Sequence, residues 1–251
     1  MVYYMIMRGF KYHKNLCPDI WDSSNNVDPL VAQAAQMAAW DFVHYLQFLG
    51  VPLAKTDIVD IILHGSTTNY YWDNKSDVDI AIIADLSRVA DWNRNGNLAA
   101  MIKAFAQNWK RTRPMKIGNR HIDIALMDKH QEYAKDYWKV GSIYSLLRGG
   151  WIHKPIRLSV SELRAIKRVA YKKYRVMMRQ CKRILRQNMS AEFIDAYLVN
   201  LRRMRMTMFD ENYVQPVVSY AMAFKMLRNT GIIRKMRDKS KKMQSKTYCI
   251  K

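Results

Sequence analysis

Two short apolar runs stand out, Ile58–Leu63 and Val78–Ile83, each of β-branched character and each too short to be a helix of ordinary length. Before them, Leu30, Ala34, Met37, Ala38, Phe42, Tyr45, Leu46 and Leu49 recur at helical spacing, with Asp28 as N-cap, Pro29 in the first turn and Gly50 as stop. After them, Leu98, Met101, Ile102, Phe105, Ala106 and Trp109 mark a helix from Asn97 to about Lys110, a suitable crossover to a third strand, RHIDIALM, at 120–127. From residue 129 onward the pattern reads as helical. A helical region at about 131–147 ends at Gly149–Gly150, and Trp151–His153 is a brief extended piece. Ser159 and Glu162 then form a capping box that opens the longest helix, to about residue 188. Helices at about 191–209, capped by Ser190, and 213–229, capped by Asn212 and stopped by Gly231, follow. Residues 1–28 show no clear period, and the last stretch, IIRKMRDKSKKMQSK, reads as a mobile basic tail.

The strands carry the candidate chemistry. The first ends in His64-Gly65-Ser66, where a residue without a side chain lets backbone approach a bulky anion and a hydroxyl can donate to it. On the second, period-two alternation points Asp77 and Asp79 one way and Val78, Ile80 and Ile82 the other. Two carboxylates side by side repel, and a divalent cation between them is what stabilises both as anions. Asp123 stands opposite Ile122, Ile124 and Leu126 on the third strand, so pairing of the second and third strands would complete an acidic triad. His64 has no nucleophile beside it in sequence and reads as structural. Tyr70, Tyr71 and Trp72, in the loop between the strands, either stack on a base or cover the edge of the core. The basic run 110–116 either touches phosphate or is a charged surface turn.

The order apolar strand, Gly65-Ser66, Ser76-Asp77-Val78-Asp79 with an apolar continuation, and later Asp123 on its own strand resembles the signature of the DNA polymerase beta-like nucleotidyltransferases, over roughly residues 28–128. The resemblance implies an α/β + α fold: a small mixed β-sheet core with helices at 29–130, then an all-helical basic domain at 131–231. It implies nucleotidyl transfer from an NTP to a hydroxyl acceptor with release of pyrophosphate, assisted by two Mg²⁺ or Mn²⁺ ions on Asp77, Asp79 and Asp123. Gly65 and Ser66, with Ser76 beside them, would bind the nucleotide's phosphates. Lys167, Tyr171 and Lys172 are candidates by position for the triphosphate and base.

Charge sharpens the picture. The 251-residue chain has a formal net charge of +21. Residues 1–150 hold 17 Lys and Arg against 15 Asp and Glu, whereas residues 151–251 hold 25 against 6. On the longest helix Leu163, Ile166, Ala170, Met177, Cys181 and Ile184 form a packing face. Arg164, Arg168, Lys172, Arg175, Arg179, Lys182 or Arg183, and Arg186 form a basic stripe. Like charges at this spacing repel by a few tenths of a kcal/mol each, roughly, and a phosphate backbone would reverse that sign. The expected partner is nucleic acid, RNA above all, with a tRNA or other RNA 3′ end as acceptor. The alternatives are a small-molecule or cyclic-oligonucleotide nucleotidyltransferase and a non-catalytic, antitoxin-like nucleic-acid binder. Arg-Arg-Asp and Glu-Asp-x-x-Arg motifs of CCA-adding enzymes are absent, and so is the glycine pattern of a helix-hairpin-helix. Cys17, Cys181 and Cys249 are odd in number and far apart, which fits a reducing, cytoplasmic setting. No apolar run is long enough for a membrane span or a signal h-region.

Overall fold

The computed structural model describes residues 11–93, 96–130, 142–187, 189–206 and 214–248. The chain folds as two units, the first covering residues 12–157 and the second containing residues 158–251.

The first unit is a mixed six-stranded sheet with helices. Helix α1 (Pro29–Phe48) starts where Asp28 accepts from the amides of Leu30 and Val31. Strand β1 (Ile58–His64) leads to β2 (Val78–Ala84), a short helix α2 (Ser87–Trp92) and α3 (Leu98–Thr112). The chain continues through β3 (Lys116–Ile117), β4 (Arg120–Asp128), β5 (Ile143–Ser145) and β6 (Gly150–His153). Strand order is β3-β4-β2-β1-β5-β6. β2 lies antiparallel to β1 and parallel to β4, the latter through the crossover of α3. Flanked on both edges and covered on both faces, β2 is nearly all apolar, as a central strand must be. Leu63, Ile80, Ile82, Ile122, Ile124 and Leu126 join the large core with Phe42, Leu46 and Trp109. Ile62, Ala81, Ile83 and Ile143 form a smaller cluster.

Two expectations change here. Residues 143–147 are not helical: β5 extends the sheet beside β1 and turns at Gly149, with φ +68°, into β6, so the first unit runs to residue 157 rather than 130. The rest of that expected helix, 131–141, lies outside the described residues. Residues 12–28, which lack a periodic pattern, nonetheless bury Leu16, Cys17, Ile20 and Trp21 in the large core.

The second unit is helical among its described residues. Helix α4 (Val160–Arg186) opens with the predicted capping box, Ser159 and Glu162 bonding reciprocally. Ile166, Ala170, Tyr174, Met177, Cys181 and Ile184 are its buried face. Helices α5 (Ala191–Met206), α6 (Val214–Asn229) and α7 (Ile232–Tyr248) follow. Asn212 lies outside the described residues. Gly231 has φ +73°, the left-handed turn that ends α6. The expected mobile tail is instead a packed helix. Ile232, Ile233 and Met236 are buried, and the Ser240 hydroxyl donates to Asp195 at 2.8 Å. Lys239 reaches the carbonyls of Leu185 at 3.0 Å and Gln187 at 2.8 Å, where the C-terminal end of α4 leaves acceptors free. The fold class, a mixed α/β unit followed by basic helices, is the one expected from the sequence.

Candidate active site at the ends of β1, β2 and β4

The register of three strands builds the site. Asp79 on β2 pairs with Asp123 on β4, and on the other side with His64 on β1. Neighbouring strands lie about 4.8 Å apart and register partners share a face, so His64, Asp79 and Asp123 stand side by side. Asp77, two residues before Asp79, shares that face. Val78, Ile80 and Ile122 turn into the core and fix the alternation.

Lys110 shows that two of the acids, Asp77 and Asp123, converge. From the last turn of α3 its ammonium lies 3.1 Å from Asp123 Oδ1 and 3.9 Å from Asp77 Oδ2. All three side chains are partly exposed, so the site is open to solvent.

Gly65 sets the close approach. Its φ is +83°, and a Cβ there would stand 2.0 Å from Asp79 Oδ2 and 2.7 Å from Asp79 Cγ. Only a residue without a side chain lets the turn pass the carboxylate. The Gly65 carbonyl accepts from Thr68 Oγ1 at 2.9 Å and Asn69 Nδ2 at 2.7 Å, and Thr68 Oγ1 also reaches the Ser142 carbonyl at 3.1 Å. The turn carrying Ser66 is therefore held from inside, and Ser66 itself is half-buried.

Burial pushes the His64 imidazole down to about 4, with the Asp123 charge opposing that shift. His64 is thus neutral near pH 7 and adds no positive charge to the acids. Its structural reading fits this burial.

Sequence reasoning missed Arg120. It stands on the inward parity of β4 with Ile122 and Ile124, and is buried. Its guanidinium pairs with Asp19 at 2.8 Å and donates to the carbonyls of Asp73 at 2.8 Å and Ser76 at 3.0 Å. It thereby fixes the loop that delivers Asp77. The signal was a charge at an apolar position of the alternation. Ser76, expected near the nucleotide, uses its hydroxyl to accept from the Asp73 amide at 2.9 Å, closing this same turn. Of the loop aromatics, Tyr70 is buried. Trp72 stacks on His13 at 3.8 Å and lies under Arg120, so these two cover the core edge rather than await a base. In the basic run 110–116, Lys110 faces the acids and Arg113 pairs with Asp41 at 3.2 Å.

No protein-family model matches the sequence, and no curated protein matches it. Among solved structures, the STING-associated CdnE c-di-GMP synthase from Capnocytophaga granulosa is similar at 13% identity, over 85% of this chain and 84% of that chain, with a TM-score of 0.23. So loose a superposition carries no weight in assigning the site.

The donors are hard carboxylate oxygens of the kind divalent cations take: Asp77 and Asp123 already draw one ammonium ion, and Asp79 is the register partner of Asp123. Among the described residues no three His, Cys, Asp or Glu side chains are closed to metal-holding distance. Asp77 and Asp123 converge on Lys110 instead. A cavity of about 320 Å³ opens beside Asp123 and Lys110, walled by Leu98, Ile102 and Leu126 with Lys103 at its side.

Lys167, Tyr171 and Lys172 belong to α4 of the helical unit; Lys167 and Tyr171 are half-buried, and Tyr171 stacks on Tyr174 at 6.1 Å. Arg164, Arg168, Lys172, Arg175, Arg179, Arg183 and Arg186 are all exposed. Among the described residues none of them has a carboxylate within ion-pair distance. No described helix is long and apolar enough to cross a membrane.

Proposed function

We propose that the chain is a nucleotidyltransferase that moves an NMP group from an NTP to a hydroxyl acceptor. The observation that supports this most directly is the in-register pairing of Asp79 with Asp123, with Asp77 and Asp123 drawn to one ammonium group. Two Mg²⁺ or Mn²⁺ ions held by Asp77, Asp79 and Asp123 would activate the acceptor hydroxyl and neutralise the departing pyrophosphate. Asp123 would hold the ion that activates the acceptor hydroxyl, and its carboxylate could also receive the hydroxyl's proton. The backbone at Gly65 and the Ser66 hydroxyl hold the β and γ phosphates, as a short anion cradle does. Ser76 and Arg120 set the loop beneath Asp77.

The exposed basic stripe on α4 supports an RNA 3′ end as acceptor, because seven cations without carboxylate partners suit a phosphate backbone. A second reading, a small acceptor giving a nucleotide conjugate or a cyclic oligonucleotide, is favoured by the cavity beside Asp123, whose volume lies within the range of small-molecule sites. Each labelled triphosphate is incubated with the protein, Mg²⁺ and total RNA, then resolved on a denaturing gel. Label in discrete RNA bands supports the first reading. Label confined to small products supports the second. Absence of both in wild type, matching Asp79→Asn, leaves a nucleic-acid binder without catalysis.

A further inference from the structure

Three acids on one sheet face repel one another before any metal arrives, and the protein must hold them there through folding. Lys110 is placed to do this. It sits in the last turn of α3, where helix carbonyl ends favour a cation, and its ammonium spans Asp123 at 3.1 Å and Asp77 at 3.9 Å. Asp79, the register partner of Asp123, adds a third negative charge to the same neighbourhood. One lysine therefore offsets part of the charge that two divalent ions would offset in full.

We infer that Lys110 is a resident counter-ion: it keeps Asp77 and Asp123 converged in the metal-free protein, and a divalent cation enters by displacing it. This inference rests on the proposed metal-assisted reading, and it makes Lys110 a positioning residue rather than a catalytic one. It has a distinctive consequence. Because the lysine and the metal compete for the same carboxylate oxygens, removing the lysine strengthens metal binding while weakening the metal-free fold. A lysine with a purely structural duty would weaken the fold with or without metal.

Lys103, two helical turns earlier on α3, supplies the control. It carries the same charge, is exposed, and lines the cavity without an ion pair to Asp77 or Asp123. The experiment titrates Mn²⁺ into metal-stripped full-length wild type, Lys110→Met and Lys103→Met, following free Mn²⁺ by electron paramagnetic resonance. Melting of each protein is recorded in EDTA and in saturating Mn²⁺. Lys110→Met should bind Mn²⁺ about 3- to 10-fold more tightly, the size expected for losing two partly exposed ion pairs. It should melt lower than wild type in EDTA and level with it in Mn²⁺. Lys103→Met should change affinity less than about 2-fold, since it shifts only the screened long-range field.

Equal or weaker Mn²⁺ binding by Lys110→Met overturns the inference and leaves the nucleotidyl-transfer reading standing. Equal tightening by Lys103→Met overturns it too, because overall charge and not the contact would then be responsible. A melting loss that persists in Mn²⁺ assigns Lys110 a structural duty only. Failure of wild type and both variants to bind Mn²⁺ overturns the inference together with the metal-assisted reading. Should Lys110→Met fail to fold, Lys110→Gln, which keeps a polar end without the charge, is read by the same criteria.

Discussion

The sheet unit and the helical unit treat charge in opposite ways. In residues 12–157 many of the cations are matched within the fold: Arg88 with Asp57, Arg113 with Asp41, Arg120 with Asp19, Lys129 with Asp85, and Lys110 with Asp77 and Asp123. On α4 of the helical unit seven exposed cations have no such carboxylate among the described residues. A matched charge is committed to geometry, as Arg120 is to the loop before Asp77. An unmatched row raises the energy of its own helix and is available to an external polyanion. Ion pairs fixed by the fold are thus a feature of the first unit, and a row of exposed, unmatched cations a feature of α4 in the second.

The largest expected break between them is in acid. All six histidines precede residue 158. Burial holds His64 at about 4 when folded, below its ordinary 6.5, so the unfolded chain takes up the proton first as pH falls. Stability is complete above about pH 6.5 and is lost progressively down to about 4, by about 3 kcal/mol in total. Chemical denaturation followed by residue-resolved hydrogen exchange should show this loss in the sheet unit, while the helical unit holds. His64→Gln should flatten the profile over that window.

Next comes Gly65→Ala. The added Cβ meets Asp79 Oδ2 at 2.0 Å at a φ of +83°, so the carboxylate or the turn must shift. Turnover should fall about 100-fold, and stability by about 1–3 kcal/mol, measured by initial rates and by urea unfolding. An equivalent Ala substitution at Gly231, with φ +73° but open space around its Cβ, should cost stability without a comparable loss of rate.

Reversing the stripe probes the other unit. Arg164→Glu with Arg168→Glu and Arg175→Glu should weaken RNA binding at least 10-fold and reduce the salt slope of log affinity by about 2, read by fluorescence anisotropy at several salt concentrations. Release of pyrophosphate with a nucleotide as acceptor should change little. Smallest is Lys239→Met, which removes the ammonium from the carbonyls of Leu185 and Gln187 and should cost about 1 kcal/mol of helical-unit stability by thermal unfolding.

The legible parts were those whose pattern is local. The capping box at Ser159 and Glu162, the Asp28 cap before Pro29, and the alternation around Asp77, Asp79 and Asp123 each follow from a few adjacent residues, and each is found where expected. The illegible parts depend on partners distant in sequence. Strand β5 has three residues, too few to show a period of two, and it exists because β1 offers an edge. Helix α7 hides its packing face because Ser240, a core position, is polar and buries its hydroxyl against Asp195. Residues 12–28 have no repeat, yet His13 stacks on Trp72 and Asp19 holds Arg120, both partners far along the chain. Lys110 was visible as a basic residue; its reach to two acids came only with the packing of α3 on β4.

Pyrophosphate release from each of the four NTPs in Mg²⁺ is the most direct measurement, comparing wild type with Asp77→Asn and Asp79→Asn proteins that retain the wild-type melting temperature or exceed it. The account predicts turnover by wild type with at least one triphosphate and a loss on the order of 10³-fold in either variant. Equal release by all three proteins, or none by wild type with or without RNA present, would contradict it.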